Sequence, residues 1–248
     1  MSLIKNILAR IWAIWGLISF AGSFLLILIP SMCAYLFREE KKGQDFFNLV
    51  SRIWMNTWLF LIACPVKVNG KENFKDAENY IIVFNHNTLL DVPLSSPFIY
   101  GGNKTIAKDS FAKIPLFGWF YKRGSILVNR KDEKSRIRSF EEMKRVLAKG
   151  IHMCIYPEGT RNRTAAPLKP FYDGAFKLSV DTKKPIMPCL IIGTREAMPV
   201  QKTLFLWPTT LKMYFLPPIL PGNQTAKELK ENIYKVMEAE YIKQSSKK

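Results

Sequence analysis

The sequence predicts an α/β fold, a mostly parallel sheet flanked by helices, preceded by an N-terminal membrane-embedded helical segment. Three observations lead there. From residue 67 onward, short apolar runs alternate with amphipathic segments, the pattern of strands and helices that build a parallel sheet. Residues 11–37 form a stretch of 27 without one charge. The composition, 48% hydrophobic and 23% charged over 248 residues, is that of a globular chain long enough to bury a sizeable core. Two regions are therefore expected: membrane-anchoring helices over 1–66 and a catalytic domain over 67–248.

Taken in order, the 11–37 run would span about 40 Å as a helix, more than the ~30 Å hydrocarbon core of a bilayer. Pro30 is placed to break or kink it. A second uncharged run, 53–66, is short for a straight crossing and carries Trp54 and Trp58, residues favoured at a membrane interface. Three readings fit this region. A cleaved signal peptide has its basic flank in Lys5 and Arg10, but the stretch is long and no small-x-small cleavage site stands out. A buried core helix is the second. Membrane attachment, as one span or as a hairpin dipping into one leaflet, is the third. Basic residues on both sides, Lys5 and Arg10 before and Arg38, Lys41 and Lys42 after, do not choose between span and hairpin.

Beyond it, strands are expected at 80–84, 105–107, 126–128, 151–156, 186–192 and 211–215. Residues 136–149 read as a helix, with Ile137, Phe140, Met143, Val146 and Leu147 at helical spacing and Gly150 as its stop. Thr225 and Glu228 form a capping box that opens a last helix bearing Leu229, Ile233, Val236 and Met237 on one face. The lysine-rich tail, 244–248, is expected to be disordered.

A formal charge of +17 calls for a polyanionic partner: nucleic acid, an anionic membrane or phosphorylated substrates. The basic residues form no recognised nucleic-acid motif, and such a protein has no use for an uncharged run of this length, so no nucleic-acid partner is expected. Cys33, Cys64, Cys154 and Cys189 stand far apart without a C-x-x-C, and there are two histidines. Neither a metal site nor a disulfide-stapled secreted scaffold is expected.

Three segments carry chemistry. After the strand at 80–84 comes NHNTLLD, 85–91, with His86 five residues before Asp91. A carboxylate that takes the Nδ1–H of a histidine fixes its tautomer and supports the imidazolium formed on proton abstraction. Five residues on a regular helix are about 140° apart, so the pair meets only if His86 precedes the helix and the chain turns between them. Pro93, tolerated in a first turn, allows that start. Alone, the spacing equally describes a loop histidine and an N-terminal helix aspartate. The second segment is YPEGTR, 156–161, where Pro157 and Gly159 impose a tight turn and Arg161 can fork onto a phosphate. The third, GSILVNR, 124–130, is a strand ending in Arg130. Around it, residues 104–131 hold seven basic residues against one acidic, which equally describes a solvated basic face.

These segments, with YPEGTRNR at 156–163 and KPIMPCL at 184–190, resemble the four ordered blocks of the lysophosphatidic acid acyltransferase (1-acylglycerol-3-phosphate acyltransferase) family. KDSFAKIPLFGWF at 108–120 is similar to the family's segment between its first two blocks, and the likeness runs from about residue 67 to 219. The resemblance implies an integral or monotopic membrane enzyme, on an inner or cytoplasmic membrane with its catalytic domain facing the cytoplasm. Such an enzyme moves a fatty acyl group from acyl-CoA or acyl-carrier protein, its donor substrates, to a lysophospholipid hydroxyl, with no cofactor. It implies His86 as general base with Asp91 as its partner, and Arg130, Glu158, Gly159, Thr160 and Arg161, with Lys108, as the acceptor-phosphate site. One departure is that the family's lysine after phenylalanine is replaced here, in Phe171-Tyr172-Asp173-Gly174, leaving one fewer cation. Independently of the family, no serine or cysteine sits in a nucleophile-elbow context, so direct attack on a thioester by a base-activated hydroxyl is the expected chemistry. The alternatives are another acceptor, a lyso-aminolipid or a lysophospholipid with a larger headgroup, or a membrane tether without activity.

Overall fold

The structure is a computed structural model and describes residues 3–246. Seven strands form one sheet in the order β1-β7-β6-β2-β5-β3-β4. They are β1 (Val66–Asn69), β2 (Ile81–Phe84), β3 (Asn103–Lys108), β4 (Ser125–Val128), β5 (His152–Ile155), β6 (Ile186–Ile192) and β7 (Leu211–Phe215). The central strands β2 and β5 are buried at every position, as befits strands covered on both faces. The sheet is parallel except between β6 and β7. Consequently β7, and β1 beside it, run against the other five.

The helices are α1 (Leu3–Met32), α2 (Glu40–Leu61), α3 (Asp91–Phe98), α4 (Phe117–Gly124), α5 (Glu133–Ala148), α6 (Gly174–Thr182), α7 (Thr194–Ala197) and α8 (Ala226–Ser245). One face of the sheet packs Ile82 and Phe84 against Trp54, Trp58 and Leu94, and so lies under α1 to α4. The other packs Ile81 and Val83 against Val146, Phe176 and Ile233 of α5, α6 and α8. The crossover from β2 to β3 thus runs over one face through α3, and that from β5 to β6 over the other through α6. Because β2 and β5 are neighbours, the chain diverges above and below the sheet just beyond their C-terminal ends. A crevice at such a divergence is where open α/β sheets take ligands.

α1 runs through Pro30 as helix, and a 3-10 turn, Cys33–Leu36, follows. It is long and apolar enough to cross a membrane. Its inner face is made of small residues, Ala9, Ala13, Gly16 and Ser19, which let its backbone lie close to the domain. Its large side chains point outward: Leu17, Ile18, Leu26 and Ile29 are all more than 60% exposed. α2 runs antiparallel to α1, and indoles join them. Trp12 and Trp15 donate to the carbonyls of Ile62 and Leu61, each at 2.9 Å, Trp58 to Gly16 O at 3.0 Å, and Trp54 to Ser23 Oγ at 2.9 Å. The first two satisfy carbonyls at the α2 C-terminus that have no partner within the helix.

Several elements differ from the sequence reading. The uncharged run 53–66 is the second half of α2 plus the turn into β1. The α5 helix starts at Glu133, earlier than 136, because Asp132 caps it by accepting from Lys134 N and Ser135 N at 3.2 and 3.1 Å. The Thr225–Glu228 capping box forms as expected. Residues 244–245 of the supposed tail belong to α8, Ser246 is its C-cap, and 247–248 lie outside the described residues.

Candidate active site

β2 and β5 pair in parallel, so the segments that leave them emerge side by side at one edge of the sheet. The first delivers His86 before α3, and α3 begins at Asp91 itself. The turn between them closes the pair: His86 Nδ1 lies 2.9 Å from Asp91 Oδ2. The same oxygen accepts the backbone N–H of Thr88 at 2.7 Å and that of Asn87. Asp91 is fully buried, and three donors converge on one of its oxygens while Oδ1 has no partner among the described residues. With Nδ1 committed to the carboxylate, Nε2 is the imidazole nitrogen left for chemistry. The ring leans on Tyr156, centroids 4.5 Å apart, and the Tyr156 hydroxyl bonds Ser95 Oγ at 2.7 Å.

The second segment, YPEGTRN after β5, grips the main chain of His86 from both sides. Glu158 Oε1 accepts the His86 N–H at 2.8 Å, and the Asn162 N–H donates to the His86 carbonyl at 2.6 Å. Glu158 Oε2 accepts from Lys169 N at 3.2 Å. Burial pushes the Glu158 carboxyl from 4.5 up to about 7, against the lowering effect of those two N–H donors. Gly159 takes φ +71°, a conformation costly for other residues, and its carbonyl accepts from Arg130 Nη1. A Cβ there would stand 2.6 Å from the Tyr172 ring.

The predicted residues divide accordingly. His86 and Asp91 meet. Glu158 sits beneath them, 1% exposed, as a brace on the His86 backbone. Arg130 reaches the turn from the end of β4, and Thr160 Oγ1 accepts from Lys169 Nζ at 2.7 Å. Arg161 is half-buried, with no hydrogen-bond partner among the described residues. Lys108 closes β3, exposed and separated from β2 by β5, and bonds none of the others through its side chain. The second histidine, His152, is a core residue: its Nδ1 accepts the Tyr80 N–H at 3.0 Å, and burial lowers its pKa from 6.5 to about 4.

Four further residues shape the site. Asn85 extends the β2–β6 pairing by exchanging bonds with Ile191, 2.7 Å from its N–H and 2.9 Å to its carbonyl. Arg195 joins Asn87 Oδ1, at 2.8 Å, to Ala166 O, at 3.0 Å, and so fastens the His86 loop to the loop after the EGTR turn. Asn162 and Lys169 complete the set. Asn85 and Asn162 lie within motifs visible in the sequence. Arg195 and Lys169 are brought in by the fold, and nothing in their local sequence marks them.

A sequence model of the Acyltransferase family matches residues 65–192, which takes in the His86 loop, the Arg130 strand and the EGTR turn. The chain is 29% identical over 241 residues to a 1-acyl-sn-glycerol-3-phosphate acyltransferase of Chlamydomonas reinhardtii, covering 90% of this chain and 67% of that one. It is 28% identical to an enzyme of the same name from Cocos nucifera, over 83% of this chain and 62% of the relative. Against further curated relatives it spans as little as about half of their length, 53% for one from Brassica napus. Among solved structures, the 1-acyl-sn-glycerophosphate acyltransferase PlsC of Thermotoga maritima superposes with a TM-score of 0.80, covering 100% of this chain and 99% of that one at 23% identity. That likeness speaks for the fold alone. The family match spans half of the chain and falls on the segments that build the His86–Asp91 site: the chain belongs to the acyltransferase family.

Proposed function

We propose that this chain transfers a fatty acyl group from acyl-CoA or acyl-carrier protein to the free hydroxyl of lysophosphatidic acid, giving phosphatidic acid at a membrane surface. The observation that carries the proposal is the His86–Asp91 pair, held on its backbone by a turn to which Arg130, Arg161 and Lys169 bring positive charge. Asp91 takes the Nδ1–H, so Nε2 presents a lone pair to the acceptor hydroxyl. As the hydroxyl oxygen bonds to the thioester carbonyl carbon, its proton passes to Nε2, and Asp91 stabilises the imidazolium. Collapse of the tetrahedral intermediate breaks the C–S bond, and the proton returns to the leaving thiolate. A thioester needs no stronger activation of its leaving group. The cations suit an acceptor with an anionic phosphate, and the Lys169 ammonium on Thr160 offsets the lysine missing at position 172.

The membrane part of the proposal rests on α1, which contacts the domain from Ala9 to Ser31 and turns its large apolar side chains away from it. Surface of this kind is stable against lipid and not against water. Because the contact runs along its whole length, α1 lies on the flank of the domain, in one leaflet, and a crossing would draw the domain into the hydrocarbon. A panel of lyso-acceptors offered with acyl-CoA and with acyl-carrier protein, its products identified by mass spectrometry, tests the activity. Preference for a zwitterionic or amino-lipid acceptor over lysophosphatidic acid would overturn the acceptor assignment.

A further inference from the structure

The segment between β3 and β4 exposes more apolar surface than a crossover in a water-facing domain needs. Phe111, Ile114, Leu116 and Trp119 are each 41% exposed or more, within nine consecutive residues. Leu116 is held out by its backbone. It has φ +60° and ψ −55°, and the Phe117 N–H bonds back to Pro115 O at 2.6 Å, which closes a γ-turn of the strained hand with Leu116 at its tip. Leucine has no local reason to adopt that turn, and the result is a large aliphatic side chain directed away from the domain. Exposed lysines rim the segment: Lys108, Lys113 and Lys122, with Asp109 as the one acidic residue.

Two placements identify what covers this surface. The inner side of the segment is locked to α1: Phe24 meets Phe117 and Phe120 edge-on, with centroids 5.6 and 5.7 Å apart. Its outward residues therefore continue the apolar flank formed by Leu17, Leu25, Leu26 and Ile29 of α1. The segment also starts where β3 ends, on the edge of the sheet from which His86 and Glu158 emerge. A tryptophan and aliphatic tips ringed by lysines match the interface of an anionic bilayer, where indoles settle at headgroup depth and ammonium groups meet phosphates.

We infer that residues 109–122 form a second membrane contact, inserting Phe111, Ile114, Leu116 and Trp119 into the headgroup region beside α1 and fixing the mouth of the site at the lipid surface. The inference builds on the membrane attachment of α1 proposed above. It gives the acceptor a route along the bilayer surface to His86 without transfer through water.

The test uses the full chain with Cys33→Ser, which leaves buried cysteines as its other thiols. Leu116→Cys and Trp119→Cys are labelled with an environment-sensitive fluorophore, with Leu17→Cys on α1 and Lys235→Cys on α8 as references, in phosphatidylglycerol–phosphatidylethanolamine vesicles containing nitroxide lipid. Quenching at 116 and 119 at least half as strong as at 17, with none at 235, is the expected result. Quenching at 17 with 116 and 119 matching 235 overturns the second contact and leaves the α1 reading standing. Absence of quenching at 17 as well overturns both. In parallel, Leu116→Asp should raise the KM for vesicle-borne acceptor about tenfold through lost apolar insertion, with turnover of detergent-dispersed acceptor unchanged. Equal loss on both forms of substrate would assign Leu116 to folding and defeat the proposal.

Discussion

His86 Nε2 is the reacting atom in the proposed mechanism, and each neighbour acts on it by way of the ring or the loop. His86→Ala should therefore lower turnover by several orders of magnitude with an unchanged melting temperature, since the side chain is a minor part of the packing. Asp91 differs, because its Oδ2 also gathers two backbone N–H groups that shape the loop. Asp91→Asn should cost up to ~10⁴ in kcat, the scale seen when a triad carboxylate becomes an amide, and should also lower the melting temperature. Normal turnover in folded His86→Ala protein would end the mechanism. For the phosphate, Arg161→Lys keeps the charge and loses the planar fork, so the KM for lysophosphatidic acid should rise more than that for the donor. A charge-assisted bond is worth ~1.5–3 kcal/mol, which sets the loss in kcat/KM at roughly ten- to hundredfold. Lys169→Met should act in the same direction, because its ammonium stands on Thr160 in the same turn. If either change lowers the melting temperature and both KM values together, that residue holds the turn and does not bind phosphate.

At the scale of elements, the EGTR turn and the His86 loop form one unit, and Glu158 gives it a pH dependence. Its carboxyl titrates at about 7 in the fold against 4.5 as a free side chain. As pH rises, the unfolded chain gives up this proton first, so the stability held by the buried acid is complete below about 4.5 and is lost through about 7. The magnitude is on the order of 3 kcal/mol. Glu158→Gln cannot ionise, so the melting temperature of the parent relative to the variant should fall between pH 4.5 and 7 and then level off; a difference that stays flat with pH would contradict this. The motifs of this unit are visible in the sequence because each directly follows a central strand whose residues are all apolar. The partners that brace it are not, since Lys169 and Arg195 become neighbours only through the sheet order. The same reasoning explains the missed elements. β1, Val-Lys-Val-Asn, is four residues at an edge and half polar, with nothing to distinguish it from a loop. The first half of α2 carries Glu40, Lys41, Lys42, Asp45 and Arg52, so a search for uncharged runs sees only its second half. The antiparallel β6–β7 pairing follows from the long connection after α7, whose direction no local pattern records.

For the whole molecule, the anchor and the catalytic domain share one core. Phe24 of α1 and Trp54, Met55, Trp58 and Leu59 of α2 are buried in the same cluster as Ile82, Phe84, Met187 and Met213 of the sheet. A polar seam adds to this contact. Gln44 donates to Asn103 O at 2.8 Å, Asn48 Oδ1 accepts the Asn103 N–H at 3.1 Å, and buried Arg123 donates to Gln44 Oε1 at 2.6 Å. Deleting residues 1–66 would therefore uncover one face of the sheet and orphan the Asn103 N–H and the Arg123 guanidinium. Each fully buried large apolar side chain contributes ~1.5–3 kcal/mol, so losing five of them exceeds the stability of a typical domain even at partial value. The truncated chain is expected in the insoluble fraction, without activity on acceptor in vesicles or in detergent. A milder change separates membrane attachment from folding. Leu17, Leu26 and Ile29 face outward, so replacing all three with serine should leave the melting temperature in detergent within a few degrees of the parent. The same replacement should shift the protein out of the membrane fraction and lower turnover of bilayer-borne acceptor. Any protein that remains bound through the basic surface should be released by high salt, because screening weakens that attraction and spares apolar insertion. Retention in the membrane fraction at high salt after the triple replacement would show that α1 is not the anchor.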